Sequence, residues 1–465
     1  MQETKENKQE NKMGVMPVRK LLISMSLPMV ISMFVQAMYN LIDSVFVARI
    51  DQDALTAVNM AFPMQSLMIA FQTGLGVGMN AVVSRLLGEK KPKDAGQAAI
   101  HGMILTLVNY LVFLTVGLTL THVFYSVQSK NAAVIAYGCE YLSVVTVFGF
   151  GLFFQICFER FLQATGKTVY AMIMQGTGAI VNIALDPVFI FALDMGVKGA
   201  AIATVIGQCV GCTIGGILHF AKNRELKLNF KSFKFSGHTV GKIYSVGVPS
   251  IMMSALVSVM TYLMNVILKG YEEVAATVFG VYFKLQSFVV MPVFGMNNGI
   301  VPIIAYNSGA GKGERIVKTV KLGVSYAVCV MLVGLALFQT LPRFFLGFFN
   351  PDDDLLRVGI PALRTLSLSF VFAGASVVMT STFQALGNGV WSLFVFIVRL
   401  LVPTLPLAWL LGRLGGVSAL WFALPICDLL GVILAALLMR KMYSKVIKPM
   451  TQTREMQMSE KSEQL

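Results

Sequence analysis

The chain has 465 residues, 56% of them hydrophobic and 13% charged, with a mean hydropathy of +0.72 and a formal net charge of +14. Soluble domains carry about 25% charged residues, and a β-barrel would show short alternating segments, so the composition specifies an all-α polytopic membrane protein. The positive charge lies in the tails and in short segments between apolar runs, a distribution that excludes a nucleic-acid partner.

In chain order, twelve runs are each near the length needed to cross about 30 Å of hydrocarbon. They fall at 20–48, 54–85, 98–121, 134–160, 168–193, 197–221, 243–269, 275–306, 319–341, 356–386, 389–411 and 416–440. The expected division is a polar N-terminal tail (1–19), a first lobe (20–222), a basic linker (223–242), a second lobe (243–443) and a C-terminal tail (444–465). No cleavable signal precedes the first run. Of the 37 Lys and Arg, Arg49, Lys130, Lys198, Lys269, Arg343, Arg357 and Arg413 lie on the side opposite the termini. Lys284, Arg364 and Arg399 fall within or near spans, and the remainder lie with the termini. The positive-inside rule then places both termini in the cytoplasm, and the protein in the inner membrane.

The first run reads MFVQAMYNLIDSVFVAR after Pro28. Gln36, Tyr39, Asn40 and Asp43 recur every three or four residues and share one helical face, so this polar stripe faces a cavity or neighbouring helices. The alternative puts Asp43 in water near Arg49. In the fifth run, GAIVNIALDPVFIFAL (178–193), Asn182 and Asp186 lie four residues apart, about 6 Å along a helix axis. Pro187 follows and is expected to bend or break the helix. A carboxylate at membrane depth costs at least about 2.5 kcal/mol and marks a functional site by default. Thr204, in the sixth run, adds a hydroxyl. Two carboxylates with an amide and a hydroxyl suit proton uptake and release, or Na⁺ held by oxygens from several helices; the residues leave both open.

The halves repeat. A shift of 221 residues aligns Ser24 with Ser245, Pro28 with Pro249, Gln65-Ser66 with Gln286-Ser287, and Gln163-Ala164 with Gln384-Ala385. It also aligns Gly74, Gly78 and Gly88 with Gly295, Gly299 and Gly309. Six spans per half is an even number, so the repeats run parallel about an axis along the membrane normal, with a site expected at mid-membrane between them. The acids are not repeated: Asp43 aligns with Met264 and Asp186 with Leu407. An ion site in the first lobe alone follows.

Other features read as structural or stay ambiguous. Lys284 either faces the cleft or snorkels to an interface. Arg399 and Asp428 are expected to pair, Glu140 and Glu159 to be interfacial, and Asp352-Asp353-Asp354 to be solvated. Gly74, Gly76 and Gly78 sit mid-helix, where small residues allow close packing. GAGKGE at 309–314 lacks the Ser or Thr of a phosphate loop, and Cys209 and Cys212 have no partner pair for zinc. No cofactor and no enzymatic constellation is expected.

Taken together, P-x10-YNxxD from Pro28 to Asp43, LQATGK at 162–167, NIALDP at 182–187, GAAIAT at 199–204 and QALGN at 384–388 resemble the multidrug and toxic compound extrusion (MATE) transporters over about 20–443. The resemblance implies two six-helix lobes around a V-shaped cavity, and export of lipophilic, often cationic compounds in exchange for H⁺ or Na⁺. It implies a coupling site at Asp43, Asn182, Asp186 and Thr204, with Tyr39 and Asn40 adjacent, and a first helix that bends at Pro28. Gln36 and Lys284 complete the expected substrate cavity, and the protein is expected to act as a monomer. A lipid-linked oligosaccharide flippase of the same superfamily is the alternative; twelve spans and one candidate cavity cation weigh against it.

Overall fold

The structure, a computed structural model, describes residues 11–349 and 351–452. Within them every regular element is a helix. The first half holds α1 (Lys12–Val15), α2 (Val18–Ala48), α3 (Gln52–Gly88), α4 (Pro92–Gln128), α5 (Ala132–Val147), α6 (Phe150–Ala164), α7 (Thr168–Pro187) and α8 (Gly196–Lys222). The second holds α9 (Gly237–Lys269), α10 (Glu273–Gly309), α11 (Gly313–Thr340), α12 (Pro342–Gly347), α13 (Asp353–Ser367), α14 (Ser369–Ala385), α15 (Gly389–Leu400), α16 (Thr404–Leu420) and α17 (Ala423–Met442). Ten helical stretches are long and apolar enough to cross a membrane, or twelve when the bent pairs α5–α6 and α13–α14 each count as one span. Large apolar side chains such as Leu118, Val127, Ile180 and Phe220 stand exposed.

The repeat is visible in the breaks. The fourth and tenth spans bend by 44° and 42°, at Phe148-Gly149 and Leu368, one residue from the 221-residue correspondence. The turn between the fifth and sixth spans uses left-handed backbone at Asp194 and Gly196, and its counterpart uses Gly416. There the chain leaves helical geometry at Gly415-Gly416, which separates spans eleven and twelve inside α16.

Shared glycines bring the two runs together. A Cβ on Gly74 would meet the backbone of Ile251 at 2.9 Å, and one on Gly295 would meet Val30 at 2.7 Å. Gly78 approaches the Ile243 carbonyl and Gly299 approaches Met25. At the basic end, Gly88 abuts the Tyr306 carbonyl and Gly309 the Arg85 carbonyl. Only a residue without a side chain admits such contacts, which is why these positions survive in both halves. Away from the basic end the same faces part. Leu67 precedes Gly74 by two turns on α3, and Phe288 precedes Gly295 by two turns on α10; both are exposed. The cleft between the runs therefore opens toward the end opposite the basic loops.

The N-terminal segment and the linker are ordered where described. Residues 1–10 and 453–465 of the expected tails lie outside the described residues. The carbonyls of Met13 and Met16 accept from Arg315 at 3.0 and 2.7 Å, Gly14 accepts from Lys312 at 2.9 Å, and Asn307 donates to Met13 at 3.0 Å. Asn11 reaches the other way, to the Thr165 carbonyl at 3.2 Å. The expected tail thus includes a docked helix turn that touches both runs. Helix α9 begins at Gly237, so the linker between α8 and α9, which holds one short 3-10 turn at Phe230–Ser232, is shorter than 223–242. Its Ser236 N–H donates to His101 Nε2 at 2.8 Å, which pins it to α4.

Candidate cation and substrate site

The site grows from the close approach of α7 and α8. A Cβ on Gly207 would lie 2.7 Å from the Gly178 carbonyl and 2.9 Å from Asn182 Cβ. With both positions glycine, the helices meet closely enough for Asn182 Nδ2 to donate to Thr204 Oγ1 at 3.4 Å. One turn along α7, the same amide nitrogen donates to Asp186 Oδ1 at 3.3 Å. Asn182, Asp186 and Thr204 are all buried. Pro187 cannot donate to the Ile183 carbonyl, and the helix continues beyond it as a wider π-type turn over Val188–Ala192. The proline marks a change of helical pitch, with a continuing helix on either side.

Helix α2 packs along α7 and supplies the second carboxylate. Asp43 is half-buried and lies within electrostatic reach of Asp186. Tyr39 lies one turn before Asp43 on the same face of α2. Gln36 is half-buried and Asn40 is exposed, so the stripe runs from the cluster to the edge of the cavity. Pro28 is buried inside α2, near the contacts with α10. The decisive feature is what the oxygens lack: Asp43 Oδ1, Asn182 Oδ1 and Asp186 Oδ2 are buried with no hydrogen-bond donor. Buried polar atoms are normally paired, and three such acceptors in one cluster fit a proton or a hard cation with oxygen ligands. Three of the four residues expected at the coupling site, Asn182, Asp186 and Thr204, are joined by hydrogen bonds, and Asp43 stands on the helix packed along α7 with no hydrogen bond to them.

Several neighbours escaped the sequence reading. Tyr141, on α5, accepts from Gln65 at 3.2 Å. Gln65 stood among the repeated positions, which was its available signal. Glu159 corrects an expectation: it is 2% exposed, held within the bundle and not at an interface. Arg160, grouped by sequence with the inner loops, is likewise buried. Asp352 caps α13 by accepting from Leu355 N–H at 2.8 Å. Arg399 and Asp428 do pair, nearly buried, in the second half.

Lys284 lies on the face of α10 that carries Phe288, Gly295 and Gly299, so it is turned toward the cleft. It is exposed, and among the described residues no carboxylate pairs with it.

The family model for MatE matches twice, over residues 28–188 and 249–410. The chain belongs to the MatE family. The second match begins at Pro249, the counterpart of Pro28, so the family unit is the repeat itself. This MatE chain is 27% identical over 434 residues to the multidrug export protein MepA of Staphylococcus aureus strain MSSA476, covering 91% of this chain and 94% of that one. It is 26% identical over 422 residues to MepA of Staphylococcus haemolyticus, covering 90% and 92%. A solved structure described as the outward-facing conformation of a multidrug resistance MATE family transporter superposes with a TM-score of 0.89 at 25% identity, covering 96% of this chain and all of that one. A MATE structure in the bent conformation superposes at 0.87 with 26% identity, covering 93% and 97%.

Proposed function

We propose that this MatE protein is a multidrug efflux antiporter of the bacterial cytoplasmic membrane, exchanging lipophilic, often cationic compounds for H⁺ or Na⁺ by alternating access. The three donorless oxygens around Asp43, Asn182 and Asp186 carry the reading. An oxygen cluster of that kind is costly in a membrane and is repaid when it binds a proton or cation. The names of the relatives and of the matched structures support the drug-export half. With the basic end assigned to the cytoplasm by its Lys and Arg, the cleft opens outward in this conformation. Substrate lies in that cleft, bordered by Gln36, Tyr39, Asn40 and Lys284, and the protein acts as a monomer.

In this mechanism a proton or Na⁺ entering from outside binds Asp43 and Asp186. Neutralising the acids removes their mutual repulsion and their attraction for a cationic drug, and α2 rearranges about Pro28. Drug leaves, and the lobes rock to open the basic end. The test is dye-cation transport in proteoliposomes, under a pH gradient alone and then a Na⁺ gradient alone. Transport with either assigns the ion, and its loss in Asp43→Asn and Asp186→Asn locates the site. No transport with either gradient, across several dyes, overturns the reading.

A further inference from the structure

A second buried polar group lies apart from the candidate coupling site, centred on α6. Both oxygens of Glu159 are satisfied, Oε1 by Gln163 Nε2 at 2.6 Å and Oε2 by Gln175 Nε2 at 2.7 Å. The Gln175 carbonyl oxygen accepts in turn from the Ser32 hydroxyl, one turn beyond Pro28 on α2. Gln163 is the pivot, because its own carbonyl oxygen accepts from Arg160 Nη1 at 2.9 Å. The same Arg160 nitrogen also donates to Asn298 Oδ1 at 3.0 Å, and Asn298 belongs to α10 in the other six-helix run. Arg160 reaches across α3 at Gly76, where a Cβ would meet its Cγ at 2.8 Å. Gly76 thus differs from Gly74 and Gly78 in purpose: it makes room for an arginine, and they make room for α9.

We propose that Arg160 is a positioning residue for alternating access: it ties the two lobes through Asn298 while the cleft faces outward, and Glu159 and Gln163 hold it in place. The inference rests on the antiport reading above. Ser32 connects the tie to α2. When α2 moves about Pro28, its hydroxyl leaves Gln175, Gln175 no longer orients Glu159, and Arg160 loses the support that aims it at Asn298. Arg160 and Glu159 offset each other's charge inside the first run, and the one donor that Arg160 sends across to Asn298 points to control of movement between the runs.

The test uses Asn298, which is half-buried, so substitution there is less disruptive to folding than at Arg160. Spin labels at Lys93→Cys and Lys318→Cys, exposed near the basic ends of the two runs, report their separation by double electron–electron resonance in full-length protein lacking its native cysteines. Asn298→Ala removes the acceptor and is expected to raise the inward-open population about fivefold, the equilibrium weight of one buried hydrogen bond. Asn298→Asp gives Arg160 a carboxylate and is expected to lower that population below wild type, by up to about tenfold, because charge-assisted bonds are roughly twice as strong. The Asp effect is expected to vanish in Arg160→Ala/Asn298→Asp. A general packing defect would shift both Asn298 variants the same way, and that result, or no shift in either, overturns the proposal. Dye efflux from proteoliposomes carrying the same variants separates the two ideas. Absent transport with responsive distances removes the antiport reading and leaves the tie; transport with unresponsive distances removes the tie alone.

Discussion

Replacing Gly207 with alanine tests whether helix spacing builds the ion site. The new Cβ would lie 2.7 Å from the Gly178 carbonyl and 2.9 Å from Asn182 Cβ, so α7 and α8 must separate by about 0.7 Å or more to reach ordinary contact distance. The Asn182–Thr204 hydrogen bond is already 3.4 Å long, and that displacement breaks it. Overpacking costs about 1–3 kcal/mol, and the lost bond in a membrane interior about 0.6 kcal/mol more. The expected result is a modest fall in thermal stability and a coupling-ion requirement raised about threefold, the weight of the lost bond, with the drug KM nearly unchanged. Ion-gradient titration of dye efflux in proteoliposomes measures both quantities, and Thr204→Val, which removes the same bond without the clash, is the control. An ion dependence in Gly207→Ala equal to wild type would refute the reasoning, because the site would then tolerate the very separation that its geometry forbids.

Other outcomes follow from the same contacts. Asp186→Asn is expected to abolish ion-coupled efflux while stability holds or rises, since a buried carboxylate with an unpaired oxygen is replaced by a neutral group; thermal melting beside transport checks it. Arg399→Ala strands Asp428, whose side chain is 5% exposed, and is expected to cost about 3–5 kcal/mol, whereas Arg399→Leu/Asp428→Leu is expected to restore most of that in a melting assay. Pro28→Ala restores a backbone donor inside α2 and is expected to slow turnover more than it weakens drug binding, read as a fall in kcat at nearly constant KM. Lys284→Ala is expected to improve affinity for cationic dyes and leave neutral substrates unchanged, because it removes a positive charge from the cleft.

Much of this molecule was legible because its strongest signals are long and periodic. Span number, the two-fold repeat and the pairing of Arg399 with Asp428 follow from apolar length, a constant offset, and the rule that buried charges find partners. Asn182, Asp186 and Thr204 could be grouped because the first two sit one turn apart on one face and the third lies in the next span. The Glu159 network was hidden for a matching reason. Near a span end an acid such as Glu159 reads as interfacial, and only the tertiary contacts through Gln175, Ser32 and Asn298 show the network held inside the bundle. Span ends are where position along the chain predicts depth least well, since a helix continues past the membrane boundary without changing its pattern.

The repeat separates two kinds of residue by what duplication can preserve. Contact between lobes is reciprocal: Gly74 needs space on α9 as Gly295 needs it on α2, so a parallel duplication meets both needs with the same residues. Ion binding has no such symmetry, since one site suffices and a second set of buried acids would add desolvation cost. Asp43 and Asp186 accordingly correspond to Met264 and Leu407 under the 221-residue shift, whereas the glycines correspond to glycines. The tie proposed at Arg160 belongs to the unshared kind, for its counterpart under the 221-residue shift is Ser381. Its donor Arg160 and the supports Ser32 and Glu159 lie in the lobe that carries Asp43 and Asp186. The pivot Gln163 is a shared position and the acceptor Asn298 lies in the other lobe, so the tie joins an unshared donor to the opposite half.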